Sequence, residues 1–277
     1  QVILDYSNYW VNLRDLSDSV KIGKELISSI AEAAICTLDD PSLQHKGKSK
    51  IKRIPKRVMP LGIAISHLTY LFLCVVLESY LLYLLGNDCF SSYLLGNDLN
   101  HHEVRRVFRR AENHLYHCDM IMFPVLQTLT PKGLSQGVGH YFLLVLNLHD
   151  RQFDVLDSMR STMDKDLQDC CNKLMNAIKQ LWKIHYPSSR KNIQNYDIEC
   201  IEVPCQTNGV DCGFHMLMNT EHWDGRNIPS FQESDMPNIR KLMTYKWVTH
   251  ELNDVRDWRE KLNLRYKCLS INHYYRN

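Results

Sequence analysis

The clearest hydrophobic pattern in this chain is a paired one. Tyr141 to Leu146 form a continuous apolar run, the pattern of a strand buried on both faces. Asn147 to Arg151 is a mostly polar break, and Gln152 to Leu156 is a second short run with Phe153, Val155 and Leu156 as its apolar positions. Two runs so closely spaced predict an antiparallel hairpin. Ile198 to Val203 reads as a further strand, ended by Pro204. Between these segments the rhythm changes. From Asp164 to Tyr186, Leu167, Cys170 or Cys171, Leu174, Ile178 and Leu181 or Trp182 recur at helical spacing, predicting a long amphipathic helix that packs on the sheet and stops at Pro187. Leu16, Val20, Ile27, Ile30 and Ala34 predict one or two peripheral helices within 12–37, and Ile239 to Trp258 reads as a closing helical region.

The segment between these patterned regions is less regular. Lys46 to Arg57 is rich in basic residues, as a solvated loop or a nuclear-localisation signal would be. Arg105, Arg106, Arg109 and Arg110 form a second basic cluster, read as a solvated helix face. Leu61 to Leu85 is strongly apolar but interrupted by Ser66, His67, Thr69 and Glu78. A membrane span needs about 20 largely uncharged residues, and only 61–77 approaches that, so a buried or aberrant helix is expected instead. Tyr-Leu-Leu-Gly-Asn-Asp then occurs at 83–88 and again at 93–98, a local duplication or an imperfect assembly of the coding sequence rather than a solenoid repeat. Residues 62–99 are therefore expected to lie outside the core that the patterned segments form.

Composition narrows the class. The chain has 277 residues with 44% hydrophobic and 10% aromatic content, enough for a sizeable core. A net charge of +2 implies no global field for nucleic acid, and no specific nucleic-acid or membrane partner is expected. Ten cysteines are scattered without the spacing of a secreted disulfide scaffold. The first ten residues carry no secretion signal, and the missing initiator Met suggests a fragment or processed chain. Nucleus or cytoplasm is the expected compartment. Neither metal nor other cofactor is expected: His114, His117 and Cys118 lack a fourth ligand at convincing spacing.

Four residues carry the candidate chemistry. Folding the hairpin about His149 brings His140 near Asp157, to within one or two positions, and directly paired side chains have Cβ atoms roughly 5 Å apart. A carboxylate there would accept the imidazole proton, fix the tautomer and stabilise the imidazolium. Asn208-Gly209 is a turn signal, and Asp211 is a credible N-cap for a helix through Phe214, Leu217 and Met218. Cys212 would open that helix, where the dipole and a nearby imidazolium lower a thiol pKa. Gln206, six residues earlier, would aim its amide at an oxyanion alongside the Cys212 backbone N–H.

These residues lie in Asp-Met-Ile-Met-Phe-Pro-Val-Leu from Asp119, Gly-His-Tyr-Phe-Leu-Leu-Val-Leu from Gly139, Phe-Asp-Val-Leu-Asp-Ser from Phe153, and Pro-Cys-Gln-Thr-Asn-Gly-Val-Asp-Cys-Gly from Pro204. Together the motifs, within residues 119–223, resemble the catalytic core of the ubiquitin-like-protein-specific (SUMO) cysteine proteases, in style the plant branch often carried by transposable elements. The resemblance implies a papain-like α+β fold of the SUMO-protease and adenovirus-proteinase type, a mixed sheet flanked by helices. It implies catalytic roles for His140, Asp157, Gln206 and Cys212, and cleavage after the Gly-Gly tail of a ubiquitin-like modifier or at the isopeptide bond beyond it. Where the family usually has a Trp walling the Gly-Gly tunnel, this chain has Tyr141. The implied organisation is a loosely matching part over 1–112, a catalytic core over 113–258 and a basic tail over 259–277. The alternative is a decayed, non-enzymatic module that binds the modifier.

Overall fold

The computed structural model describes residues 1–6, 9–38, 56–59, 62–64, 108, 115–129 and 138–262. Its centre is a mixed six-stranded sheet built on the expected hairpin. Strands β5 (Met120–Leu129), β6 (Val138–Asn147) and β7 (Gln152–Leu156) are antiparallel neighbours. Earlier in the chain, β1 (Val2–Tyr6) and β2 (Tyr9–Asn12) form a separate two-stranded sheet, and β3 (Lys56–Val58) and β4 (Gly62–Ala64) both run parallel to β5. At the opposite edge β8 (Ile198–Cys200) runs parallel to β7.

Two expectations are corrected here. The end of the basic run, Lys56 and Arg57, belongs to a sheet strand, and residues 62–64, expected to lie outside the core, belong to another. Pro124, which has no N–H to give, sits between the β5 segments that β3 and β4 pair with, at 120–122 and 125–127. A proline is tolerated in this inner strand because that flank is broken there. The remaining apolar stretch, the duplicated hexapeptide and the cluster Arg105 to Arg110 lie outside the described residues.

Both faces of β6 are covered, which is why its sequence does not alternate. Phe142, Leu144 and Leu146 pack with the long helix α3 (Lys165–His185), whose buried side is Leu167, Cys170, Cys171, Leu174, Ala177, Ile178, Leu181 and Trp182 (α1 and α2, earlier in the chain, are described below). Asp164 caps its start, accepting from the Leu167 N–H at 2.8 Å. Tyr141, Leu143 and Val145 face the other core, which contains helix α4 (Cys212–His222) and helix α5 (Met236–Thr249). The short helix α6 (Trp258–Lys261) follows. Trp223, at the end of α4, donates from its indole to buried Asp154 on β7 at 3.0 Å, and Asn147 donates to the same oxygen at 2.9 Å. Burial pushes the Asp154 carboxyl upward despite these donors, so the link serves to fix α4 on the hairpin.

The N-terminal helices are α1 (Leu13–Val20) and α2 (Ser28–Leu38). They occupy the predicted stretch, but α2 is not peripheral. Ile30, Ala31, Ala33, Ala34 and Ile35 are all buried in the α4 core. Three alanines let the helix approach its neighbours closely, and a helix apolar nearly all round belongs inside a domain. The strand expected over 198–203 is shorter than its apolar pattern. After Cys200 only the Ile201 N–H still reaches β7, at the Val155 carbonyl, 2.9 Å, and the chain then leaves the sheet toward Ser158.

Candidate active site

The hairpin register joins Leu143 to Leu156, so Phe142 falls opposite Asp157 when the ladder is continued by one pair. His140 lies two residues further along and reaches diagonally: its Nε2 is 2.9 Å from Oδ1 of Asp157, and both side chains are buried. Asp157 is held by more than the imidazole. The same Oδ1 accepts the backbone N–H groups of Met159 and Arg160, each at 2.9 Å, while Oδ2 accepts from Nε of Arg160 at 2.8 Å. Burial pushes this carboxyl up, but the His140 hydrogen bond and charge, with the Arg160 charge and N–H, outweigh it and hold the carboxyl below its ordinary range. Arg160 also stacks over the Phe142 ring at 5.2 Å and donates to Gln127 at 2.8 Å.

Cys212 is the first residue of α4, as expected, yet two details differ from expectation. Asp211 does not cap the helix with its side chain. Its carboxylate is occupied by Arg240 and by Nδ2 of Asn208, the latter at 2.7 Å. The Cys212 thiol is also pushed up, not down. Burial is the main cause, and the charges of Glu25 and Asp157 add to it, while hydrogen bonds from the Tyr141 and Gly213 backbones oppose it. The helix dipole does not overcome desolvation at this position. The Tyr141 backbone that reaches the thiol belongs to the residue directly after His140.

Arg240 organises this turn from α5. Nearly fully buried, it donates to Asp211, to the carbonyls of Ser19 and Lys21 at 3.1 and 3.0 Å, and to that of Lys24 at 2.8 Å, with its guanidinium 4.1 Å from the Phe214 ring centre. One side chain thus ties the residue before Cys212 to the α1–α2 connection. That connection ends with Leu26 pressed on Gly213: a Cβ added there would lie 2.7 Å from Cβ of Leu26 and 3.3 Å from Cδ2 of Tyr141. Arg240→Met should leave Asp211 buried without its cation and take one donor from each of three carbonyls, a loss of about 3–5 kcal/mol. The thermal midpoint should fall by roughly 6–20 °C. The Asp211 carboxyl is held low, against the upward push of burial, by Asn208 and Arg240. The pair's stabilisation is therefore present above the ordinary carboxylate pKa and lost as pH falls through the lowered one. The parent–variant gap in thermal midpoint should accordingly narrow toward acid pH.

Gln206 is oriented by the residue after Asp157. Oγ of Ser158 donates to its Oε1 at 2.6 Å, the Ser158 carbonyl accepts its backbone N–H at 2.9 Å, and one Nε2 hydrogen goes to the Asn208 carbonyl. Asn208 forms the predicted turn itself, its Oδ1 accepting from the N–H groups of Val210 and Asp211. The structure thus brings His140, Asp157, Ser158, Gln206, Tyr141 and Cys212 to one end of the sheet. Sequence reasoning had assigned no role to Ser158, Arg160, Arg240 or the Glu25–Leu26 segment. Ser158 and Arg160 lie within three residues of Asp157, Arg160 on its carboxylate and Ser158 on the Gln206 amide; Arg240 has no local signal in the sequence. Among the described residues no group of three or more His, Cys, Asp or Glu could hold a metal ion.

Residues 89–252 match the Ulp1 protease family, C-terminal catalytic domain. This is more than half of the chain, and the chain belongs to that family. Ubiquitin-like-specific protease 1A of Arabidopsis thaliana is 25% identical over 143 residues, covering 51% of this chain and 26% of its own length. Putative ubiquitin-like-specific protease 1B of the same plant is 29% identical over 144 residues, covering 50% and 37%. The chain thus spans well under half the length of these curated relatives. Among solved structures, the SUMO protease Ulp1 with its catalytic cysteine oxidised to a sulfenic acid superposes with a TM-score of 0.59 at 15% identity, over 91% of this chain and 90% of that one. The Ulp1 protease domain in complex with Smt3, the yeast ortholog of SUMO, gives 0.57 at 14% identity over 91% and 89%. These likenesses establish the α+β fold of the Ulp1 type.

Proposed function

We propose that the chain is a cysteine peptidase that cleaves after the C-terminal Gly-Gly of a ubiquitin-like modifier, from a precursor or an isopeptide conjugate. The observation that carries this reading is the buried His140–Asp157 contact at 2.9 Å on the strand whose next residue, Tyr141, contributes its backbone to the Cys212 thiol. Cys212 is the nucleophile and His140 the base. Because burial keeps the resting thiol protonated, the proton passes to His140 as sulfur attacks the Gly carbonyl, and Asp157 stabilises the imidazolium formed. His140 then returns the proton to the departing amine, and water hydrolyses the thioester. The second Nε2 hydrogen of Gln206 and the Cys212 backbone N–H donate to the tetrahedral oxyanion. Tyr141 walls the cleft for the tail. The partner is the modifier with its conjugates, and the free thiols of Cys170, Cys171, Cys200, Cys205 and Cys212 fit the nucleus or cytoplasm. Among the described residues no helix is long and apolar enough to cross a membrane.

A SUMO-like modifier ending in a thiol-reactive group tests the proposal. A covalent adduct mapped to Cys212 by mass spectrometry is expected; tight binding without an adduct would favour the decayed binding module instead. The oxyanion role has its own test. Gln206→Ala should lower turnover by roughly 10²- to 10³-fold, and Ser158→Ala, which frees the amide to rotate, should lose a smaller part of that. Parental turnover by Gln206→Ala would remove the residue from the mechanism.

A further inference from the structure

The α1–α2 connection places a carboxylate beside the nucleophile that the proposed mechanism does not use. Leu26 packs on Gly213, the residue after Cys212, and the Lys24 carbonyl is held by Arg240. Between these two fixed points stands Glu25, whose backbone carbonyl accepts the Ser19 hydroxyl at 2.9 Å. Its side chain is exposed and lines an open hollow of about 460 Å³ with Asp15, Asp18, Lys24, Ile27 and Val210. The other two carboxylates there have donors: Asp15 accepts from Asn12 at 2.6 Å and Asp18 from Lys21 at 2.7 Å. Glu25 alone of the three carboxylates has no hydrogen bond or ion pair among the described residues. Its charge nevertheless reaches the Cys212 thiol and opposes its ionisation. An anion near a nucleophile that must lose its proton opposes the chemistry, unless the substrate brings a cation to it.

We propose that Glu25 is a specificity-determining residue that selects a cationic side chain in the substrate close to the scissile bond. This rests on the peptidase reading above. Leu26 and Tyr141 both pack on Gly213, so a tail that reaches Cys212 ends close to the segment that carries Glu25, and an extended chain advances only about 3.3 Å per residue. A basic residue directly before the Gly-Gly is within reach, and so is one flanking the modified lysine on the leaving side. Either would neutralise Glu25 as the thiolate forms.

Two pairs of substrates separate these sources. Modifier–aminocoumarin substrates with Arg or Gln before the Gly-Gly share a neutral leaving group. Isopeptide conjugates to a peptide with Arg or Gln beside the lysine share one tail. In at least one pair the parent should favour Arg by roughly two- to fivefold in kcat/KM, the strength of an exposed charge pair. Glu25→Gln should bring that ratio close to one, and Glu25→Lys should invert it. Because each ratio is taken within one variant, a folding defect cancels. Equal turnover of Arg and Gln substrates in both pairs, or a preference that survives Glu25→Gln, would overturn the assignment while leaving the peptidase intact. If the parent turns over no substrate, the peptidase reading falls and the role of Glu25 with it.

Discussion

Cys212→Ser should abolish covalent labelling by a modifier carrying a C-terminal thiol-reactive group, while Cys205→Ser should retain most of it. The contrast is informative because reactivity judged from exposure alone would choose the other residue. Cys205 is exposed and Cys212 buried, and burial pushes the Cys212 thiol up. An unselective alkylating agent should therefore modify Cys205 readily. The tethered probe is different: its tail delivers the electrophile to the start of α4, where the Tyr141 and Gly213 backbones meet the sulfur and His140 can take the proton. Proximity of this kind is worth about 7–11 kcal/mol in well-oriented reactions, far more than the cost of deprotonating a raised thiol, at about 1.4 kcal/mol per pH unit. Intact-mass and peptide-mapping spectra of the two variants decide the matter. Equal labelling of both, or a probe adduct on Cys205 in the parent, would remove Cys212 as nucleophile.

What could be read from the sequence followed from local rules. The apolar run through β6, the polar break and the run through β7 determine one another, because a one-residue slip would turn every side chain to the wrong face. The helical spacing of α3 and the stop at Pro187 are equally local. The misreadings came where a distant partner decides. Asp211 looks like an N-cap from its neighbours alone, but Arg240, 29 residues later, claims its carboxylate. The start of α4 suggests a lowered thiol pKa, but burial under α2 and β6, with the charges of Glu25 and Asp157, reverses the direction. Helix α2 looked peripheral because its central residues are mostly small, and small residues mark close packing only once the neighbour is known. Strand β4 was hidden because an edge of three residues carries no periodicity.

The second large effect concerns Asp157, and here the structure changes what the sequence alone suggests. By analogy with other triads, an Asn at the orienting position would hold the imidazole in the wrong tautomer and cost roughly 10⁴-fold in turnover. At this site three N–H groups, from His140, Met159 and Arg160, converge on Oδ1. The amide introduced by Asp157→Asn would thus place its oxygen there and keep the tautomer. Its nitrogen would face Nε of Arg160, donor against donor, and the negative charge that supports the imidazolium would be gone. A charge-assisted hydrogen bond contributes about 1.5–3 kcal/mol, so Asp157→Asn should lower kcat/KM by roughly 10- to 150-fold. Asp157→Ala should do far more. It removes the acceptor and leaves the Arg160 guanidinium, whose side chain is 5% exposed, buried and unpaired beside His140. Breaking such a buried pair costs about 3–5 kcal/mol, and the remaining cation opposes imidazolium formation directly. A loss of about 10³- to 10⁴-fold is expected, with a lowered thermal midpoint. Steady-state kinetics on a fluorogenic modifier, run for both variants, separate the two accounts. If Asp157→Asn falls as far as Asp157→Ala while keeping the parental midpoint, the tautomer argument stands and the three N–H groups do not fix the amide as described.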